Sequence, residues 1–399
     1  MNFDPDKLFR ASCVALVVTS MTFAIRAGML HQLGIDFGLT NYELGLIASM
    51  AFFGFPVANL IGGPLCDIVG MGRLLALAFV AHLLGIVLTI FATGFWSLFI
   101  STFFIGFANG MVEAACNPLV ATLYPTNKTT RLNNFHMWFP GGLVIGGLIS
   151  YFMTRVGWNW QIQMAAILIP TVVYGWLFYG QEFPKTERVT SGVSNKEMLK
   201  ACLSPLFLFM VACMFLTSVT ELGTNQWIDV LLKASGVSGI LILVWISGIM
   251  ATGRYFAGGI VHRLSPSGVL LASAVLSLMG LLLLSRSQGV WVYVAASVFA
   301  VGVTYFWPTM LGFVSENIPA SGATGLSLTG GAGMFSGFLF QPLLGKWYDS
   351  NLKAAGSELL AGQMTLKTVA ILPAVLIVAF GLLFFYMQKK KKAFSRTQS

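Results

Sequence analysis

Gly63-Pro-Leu-Cys-Asp67-Ile-Val-Gly70-Met-Gly-Arg73 separates two long apolar runs, residues 42–66 and 72–92. It reads as a tight turn between helices. Its glycines let the backbone bend sharply and approach a neighbour, an acid stands at a helix end, and a base can pair across the turn. Each flanking run is long enough to cross a hydrocarbon core about 30 Å thick, which takes about 20 apolar residues. The segment is therefore expected to be a hairpin at a membrane surface.

The same alternation of apolar run and polar punctuation continues outward in both directions. Runs near 9–34, 95–124, 133–154 and 161–181 complete a first set of six, and 203–232, 237–261, 267–285, 290–316, 322–348 and 363–388 form a second. The expected fold is an all-α membrane protein of twelve transmembrane helices in two pseudo-symmetric six-helix bundles. The bundles would be residues 1–181 and 203–399, the second with a basic tail, joined by a hydrophilic linker over 182–202. Composition agrees, because only 9% of residues are charged against about 25% in soluble domains. The halves also echo each other: Asn117-Pro118 leads to Pro125 as Trp307-Pro308 leads to Pro319. Glycines then open both following helices, Gly141, Gly142, Gly146 and Gly147 in one and Gly330, Gly331, Gly333 and Gly337 in the other. Repeated halves around a central site are a transporter plan, and the glycines themselves read as packing surfaces.

Lys and Arg mark the cytoplasmic side. Lys7, Arg10, Arg73, Lys128, Arg131, Lys185, Arg188, Lys196, Lys200, Arg263 and the tail Lys389 to Lys392 share one side if both termini are inside. The other side holds chiefly Arg155, Lys233 and Arg286, with Lys346, Lys353 and Lys367 as the exception. The first apolar run, behind Asp4, Asp6, Lys7 and Arg10, lacks a small-residue cleavage site and reads as a retained helix. The net charge of +9 gathers in these loops and tail, as in a membrane-surface anchor, so no nucleic-acid partner is expected. On that topology the sequon Asn127-Lys-Thr129 stays unmodified.

The cysteines Cys13, Cys66, Cys116, Cys202 and Cys213 form no paired motif and read as small core residues. No phosphate loop, zinc-helix motif or nucleophile elbow is present. The expectation is a non-enzyme with no cofactor and no metal, acting on a small-molecule solute and protons in a lipid bilayer, and working as a monomer.

The glycine turn resembles the signature loop of the major facilitator superfamily. A degenerate counterpart, Gly253-Arg254 followed by Gly258-Gly259-Ile-Val-His262-Arg263, stands between the eighth and ninth runs. Val112-Glu113-Ala-Ala-Cys-Asn117-Pro118, Arg131-Leu132-Asn133, the glycine-rich fifth run, Leu39-Thr40-Asn41 and Glu221 resemble the fucose permease group of sugar–proton symporters. The resemblance implies a multi-pass protein of the cell membrane, a bacterial inner membrane, with both termini cytoplasmic. It also implies that Glu113 lies in a central cavity and takes part in sugar binding and proton coupling. A first-helix acid typical of that group is missing, since Ala27 stands in its place.

The buried charges are the candidate site. Arg26 lies about 24 Å along its helix from Arg10 at 1.5 Å per residue, too deep to reach the inner surface easily. A charge there costs at least about 2.5–3.5 kcal/mol, so it faces a wet cavity or a partner. Its planar fork suits a carboxylate or phosphate of the substrate. The alternatives are a pair with Glu113 or Glu221, or outward snorkelling. Glu113, with Asn109 and Asn117 one turn to either side, is expected on a polar face lining the cavity and able to exchange a proton; the bland alternative is a fixed partner for a cation. Glu221 is the second proton-coupling candidate, and Asn225 and Trp227 beside it suit a sugar, although Trp227 fits an interfacial belt equally well. His136 and Trp138 open the fifth run, where His136 is either a titrating group or an interfacial one. Tyr305, Trp307 and Gln341 occupy matching helices of the second half. Asp67, Gly70, Arg73 and Arg254 are expected to serve gating and structure. Other readings are a facilitator of neutral hexoses, an exporter of amphipathic compounds, and a nutrient sensor that binds without transporting.

Overall fold

The computed structural model describes residues 3–125, 128–185, 195–256 and 263–397. Within them each predicted apolar run is helical, in twelve columns. The first six are α1 (Pro5–Phe37), α2 (Asn41–Val69), α3 (Met71–Ile90), α4 (Phe95–Leu123), α5 (Lys128–His136 and Trp138–Arg155) and α6 (Trp160–Ala166 and Leu168–Phe178). A short helix, Asn195–Cys202, precedes α7 (Pro205–Ser218, Val219–Gly223 and Thr224–Leu232). Then follow α8 (Gly239–Tyr255), α9 (Pro266–Leu284), α10 (Trp291–Val303 and Phe306–Asn317), α11 (Gly322–Ala355) and α12 (Glu358–Val369 and Ile371–Thr397). Among the described residues ten helices are long and apolar enough to cross a membrane. The other two columns are α8, which is apolar but shorter, and α11, which is long but more polar. The face from which α1 rises is called basal here, the opposite face distal.

Sequence reading treated every column as continuous, yet four are broken, and one cause accounts for all four. Pro140, Pro170, Pro308 and Pro373 each stand at the third position of the segment after a break. A proline has no N–H to give to the carbonyl four residues back. The carbonyls of His136, Ala166, Thr304 and Val369 therefore lose their helical partner. The breaks in α6 and α12 fall at equivalent places in the two halves. In α7 the irregularity is a π turn over Val219–Gly223, a form that widens a helix and recurs at functional sites.

Helix ends follow capping more than hydrophobicity. Thr40 and Glu43 form a reciprocal capping box at the start of α2. The predicted hairpin at Gly63 to Arg73 turns on one residue, Gly70, whose φ of 87° is left-handed; Gly72 sits under the ring of Phe183. Arg73 is exposed, and the side chain of Asp67 lies outside the described residues, as do residues 257–262 of the second loop. The predicted ends 322–348 and 363–388 are too short. Helix α11 runs on until Gly356 caps it at φ 64°, and α12 starts at Ser357, whose side chain accepts from the Leu360 N–H. The polar residues of this stretch are thus helical, which carries Lys353 on α11 rather than in a loop.

Small residues set the close crossings. Where α2 passes α4, a Cβ on Gly106 would run into the Ala51 carbonyl, and one on Gly110 into that of Phe55. Helices α2 and α11 lie antiparallel: Asn41 meets Gly345, Gly45 meets Gln341 and Pro342, Phe52 meets Gly337, Pro56 meets Gly331, and Gly63 meets Ser327. As numbers rise on α2 they fall on α11. The first and last six columns therefore touch along this seam from the distal to the basal end. Helices α5 and α8 make a second such seam through Gly147 and Val244.

Candidate functional site

The breaks place the charges. Arg254, buried in the last turn of α8, donates from Nη2 to Glu221 Oε1 at 3.2 Å and from Nε to the Thr304 carbonyl at 2.9 Å. Thr304 is four residues before Pro308, so the proline frees the very carbonyl that anchors the arginine. Beside it the Tyr305 hydroxyl donates to the Gly253 carbonyl at 3.1 Å. Glu221 lies in the π turn of α7 and is itself buried. Sequence reading grouped Arg254 with the glycine loop after α8; the structure holds it inward, between α7 and α10.

Glu113, buried on α4, and His136, buried at the break in α5, both lie within electrostatic range of the Arg254 guanidinium. His136 Nε2 is 3.0 Å from Asn117 Oδ1. One arginine from the second half thus bonds a carboxylate of its own half and lies within electrostatic range of a carboxylate of the other. Trp307 packs against Gly330 and Gly333 of α11 nearby.

Asn109 departs from the expected polar face. Its Nδ2 donates to Thr22 Oγ1 at 3.0 Å, and its Oδ1 accepts from His82 Nε2 at 2.8 Å. His82 Nδ1 then accepts from the Tyr174 hydroxyl at 2.8 Å. Each step of four residues overshoots a helical turn by about 40°, which swings Asn109 away from Asn117 and into the contacts of α4 with α1, α3 and α6. His82 was missed by sequence reading, although a lone histidine in an apolar run was a signal. Trp138 is 37% exposed, unlike its buried neighbour His136.

Arg26 makes neither of its two candidate pairs, since Glu221 is held by Arg254 and no carboxylate bonds Arg26 among the described residues. It is buried in α1 with its guanidinium 4.9 Å over the Phe23 ring. Trp227 donates from Nε1 to Gln341 Oε1 at 2.7 Å, and Asn225 is buried one turn before Asp229. Distal to these groups is a cavity of about 290 Å³ lined by His31, Asn41, Trp227, Asp229, Lys233 and Glu358 among others. It is flanked by the Asn41 Nδ2 to Asp349 Oδ1 hydrogen bond, 3.0 Å, across the α2–α11 seam. Among the described residues no group of three or more His, Cys, Asp or Glu side chains could hold a metal, and the five cysteines are buried and form no disulfide.

Closure at the distal end depends on Gly45, where a Cβ would lie 3.0 Å from the Gln341 carbonyl and 3.1 Å from Pro342 Cα. Gly45→Leu is expected to wedge this seam open. The check is the alkylation rate of a cysteine at buried Asn225 by a membrane-impermeant maleimide. The rate should rise several-fold in the Gly45→Leu background, and an unchanged rate refutes the wedge.

The family description Major Facilitator Superfamily matches residues 12–341. Among curated relatives, the hexuronate transporter of Bacillus subtilis (strain 168) is 24% identical over 368 residues, covering 82% of this chain and 84% of that protein. The myo-inositol transporter 1 of Candida albicans is 24% identical over 183 residues, 44% of this chain. That match takes in 33% of the fungal protein, and several other curated matches likewise span about a third of the relative's length. Among solved structures, a D-xylose–proton symporter superposes with a TM-score of 0.75 at 13% identity, covering 92% of this chain and 96% of that one. The E. coli fucose:proton symporter superposes with a TM-score of 0.68 at 16% identity, covering 94% and 98%.

Proposed function

The chain belongs to the Major Facilitator Superfamily, and from that premise we propose that this secondary transporter is a proton symporter for a sugar or sugar-derived organic acid. What supports the reading is the buried set Glu113, Arg254 and Glu221, in which Arg254 bonds Glu221 of its own half and lies within electrostatic range of Glu113 of the other. A transporter that rocks its halves around a midplane site needs such a contact to depend on what is bound. Ionised Glu113 attracts Arg254 across the seam. A proton on Glu113 removes that attraction and leaves Arg254 to Glu221, so proton occupancy on one bundle alters the bond holding the other. The hexuronate transporter among the relatives, and the resemblance to the fucose permease group, support a sugar or sugar acid as the solute.

The rocking bodies are residues 1–181 and 203–399, linked by 182–202. The distribution of Lys and Arg supports a cytoplasmic basal face with both termini inside, and the resemblance to the fucose permease group supports a bacterial inner membrane. Replacing Glu113 by glutamine keeps the size and hydrogen bonding of the side chain and removes its titration. Glu113→Gln is expected to abolish uphill accumulation in proteoliposomes under an imposed proton gradient while leaving counterflow exchange. Undiminished accumulation sinks the coupling role.

A further inference from the structure

Buried side-chain atoms without a hydrogen-bond partner cluster on the helices around the site. They include Arg26 Nε and Nη2, both amide atoms of Asn225, and Gln341 Nε2. In hydrocarbon surroundings such atoms are costly unless something satisfies them during the working cycle.

These residues lie on helices that pack side by side. Arg26 lies on Phe23, whose ring meets Phe52 at 5.2 Å. Phe52 packs against Gly337, one turn from Gln341. Gln341 holds Trp227, two residues after Asn225. The circuit closes because His31 on α1 and Asp229 on α7 line the same cavity. From those two, five and four residues of helix, about 7.5 and 6 Å, lead inward to Arg26 and Asn225. Helices α1, α2, α11 and α7 thus ring one level, about one turn distal to Glu221.

The chemistry of the free atoms specifies a ligand. Nε and Nη2 form the side edge of a guanidinium, two parallel N–H donors that match the two oxygens of one carboxylate. Asn225 offers a donor and an acceptor together, the complement of a hydroxyl that both accepts and donates, and Gln341 Nε2 adds a further donor. We infer that Arg26 and Asn225 grip opposite ends of one polyhydroxy monocarboxylate, its carboxylate on the first half and its hydroxyls on the second. This rests on the transport reading above and narrows its solute to the acid. A ligand held this way bridges the two bundles, as a substrate that drives their closure must.

The test is binding to the full-length protein in detergent, by calorimetry and thermal shift, with D-glucuronate, D-galacturonate and D-gluconate. D-glucuronamide serves as the neutral isostere and hexanoate as the acid without hydroxyls. At least one polyhydroxy acid should bind, and D-glucuronamide far more weakly. Arg26→Gln should weaken that acid about 100-fold, the order expected for loss of one partner of a desolvated charge pair, and change D-glucuronamide less than about threefold. Arg26→Lys, which keeps the charge without the fork, should fall between. Asn225→Leu should weaken the polyhydroxy acid and leave hexanoate unchanged. Without ligand, Arg26→Gln should melt no lower than the parent, because it removes an unpaired buried charge; a lower melting temperature overturns the inference by showing that the protein itself satisfies Arg26. Equal loss of acid and amide, or no binding of any of the three acids, also overturns it. Because the assay is binding, the outcomes separate: binding without proton-driven uptake defeats the symport reading alone, and uptake of a neutral sugar without acid binding defeats only this inference.

Discussion

Arg254→Leu is expected to lower stability by about 3–5 kcal/mol and to abolish transport, because it strands Glu221 as a buried acid without its partner. The pair is enclosed on both sides, so water cannot take over the lost hydrogen bond. The double variant Glu221→Leu with Arg254→Leu removes both charges together, and replacing a whole buried pair by apolar groups is often neutral for stability. It should therefore melt close to the parent and still fail to transport. Thermal unfolding of the three variants in one detergent, alongside proteoliposome uptake, separates the two roles. If the double variant melts as low as Arg254→Leu, the arginine stabilises the protein through something other than Glu221. If it transports, the pair is structural alone.

The second large effect is expected away from all charge. Gly106→Val should cost about 3 kcal/mol or more, at the upper end of overpacking penalties, because a side chain there meets main chain rather than a movable rotamer. The Ala51 backbone across the α2–α4 crossing has no room to yield. Gly248→Val is the internal control: it places the same residue at a helical glycine with nothing within 4 Å of its would-be Cβ. Yield of monodisperse protein and melting temperature should collapse for the first and change little for the second. Valine has a higher helix propensity than glycine, so equal losses at the two sites would mean that close approach at Gly106 does not decide the outcome.

The columns were legible in the sequence because crossing a bilayer imposes a length and a composition that few alternatives meet. Glu113, Glu221 and Arg26 were legible as candidates for the same reason, since a charge in an apolar run must be accommodated. Depth can be counted along a helix, but direction cannot. Asn109 was expected beside Glu113 and Asn117, yet it turns to His82 and Thr22; Arg254 was assigned to a loop, yet it turns inward to Glu221. Those directions depend on which helices become neighbours, and a single run does not state that. The breaks were half-legible: each proline was visible, but not that its effect falls three residues earlier.

The bond from Arg254 to the Thr304 carbonyl has an unusual inheritance. Its acceptor is main chain, so no exchange of side chain at position 304 deletes it. The bond is governed instead by Pro308, one turn along, through a hydrogen that proline does not have. Any other residue at 308 supplies an N–H that competes for the same oxygen. A mutational scan should accordingly find the arginine's anchor encoded at a position the arginine does not bond, and a genetic interaction between 254 and 308 stronger than between 254 and 304.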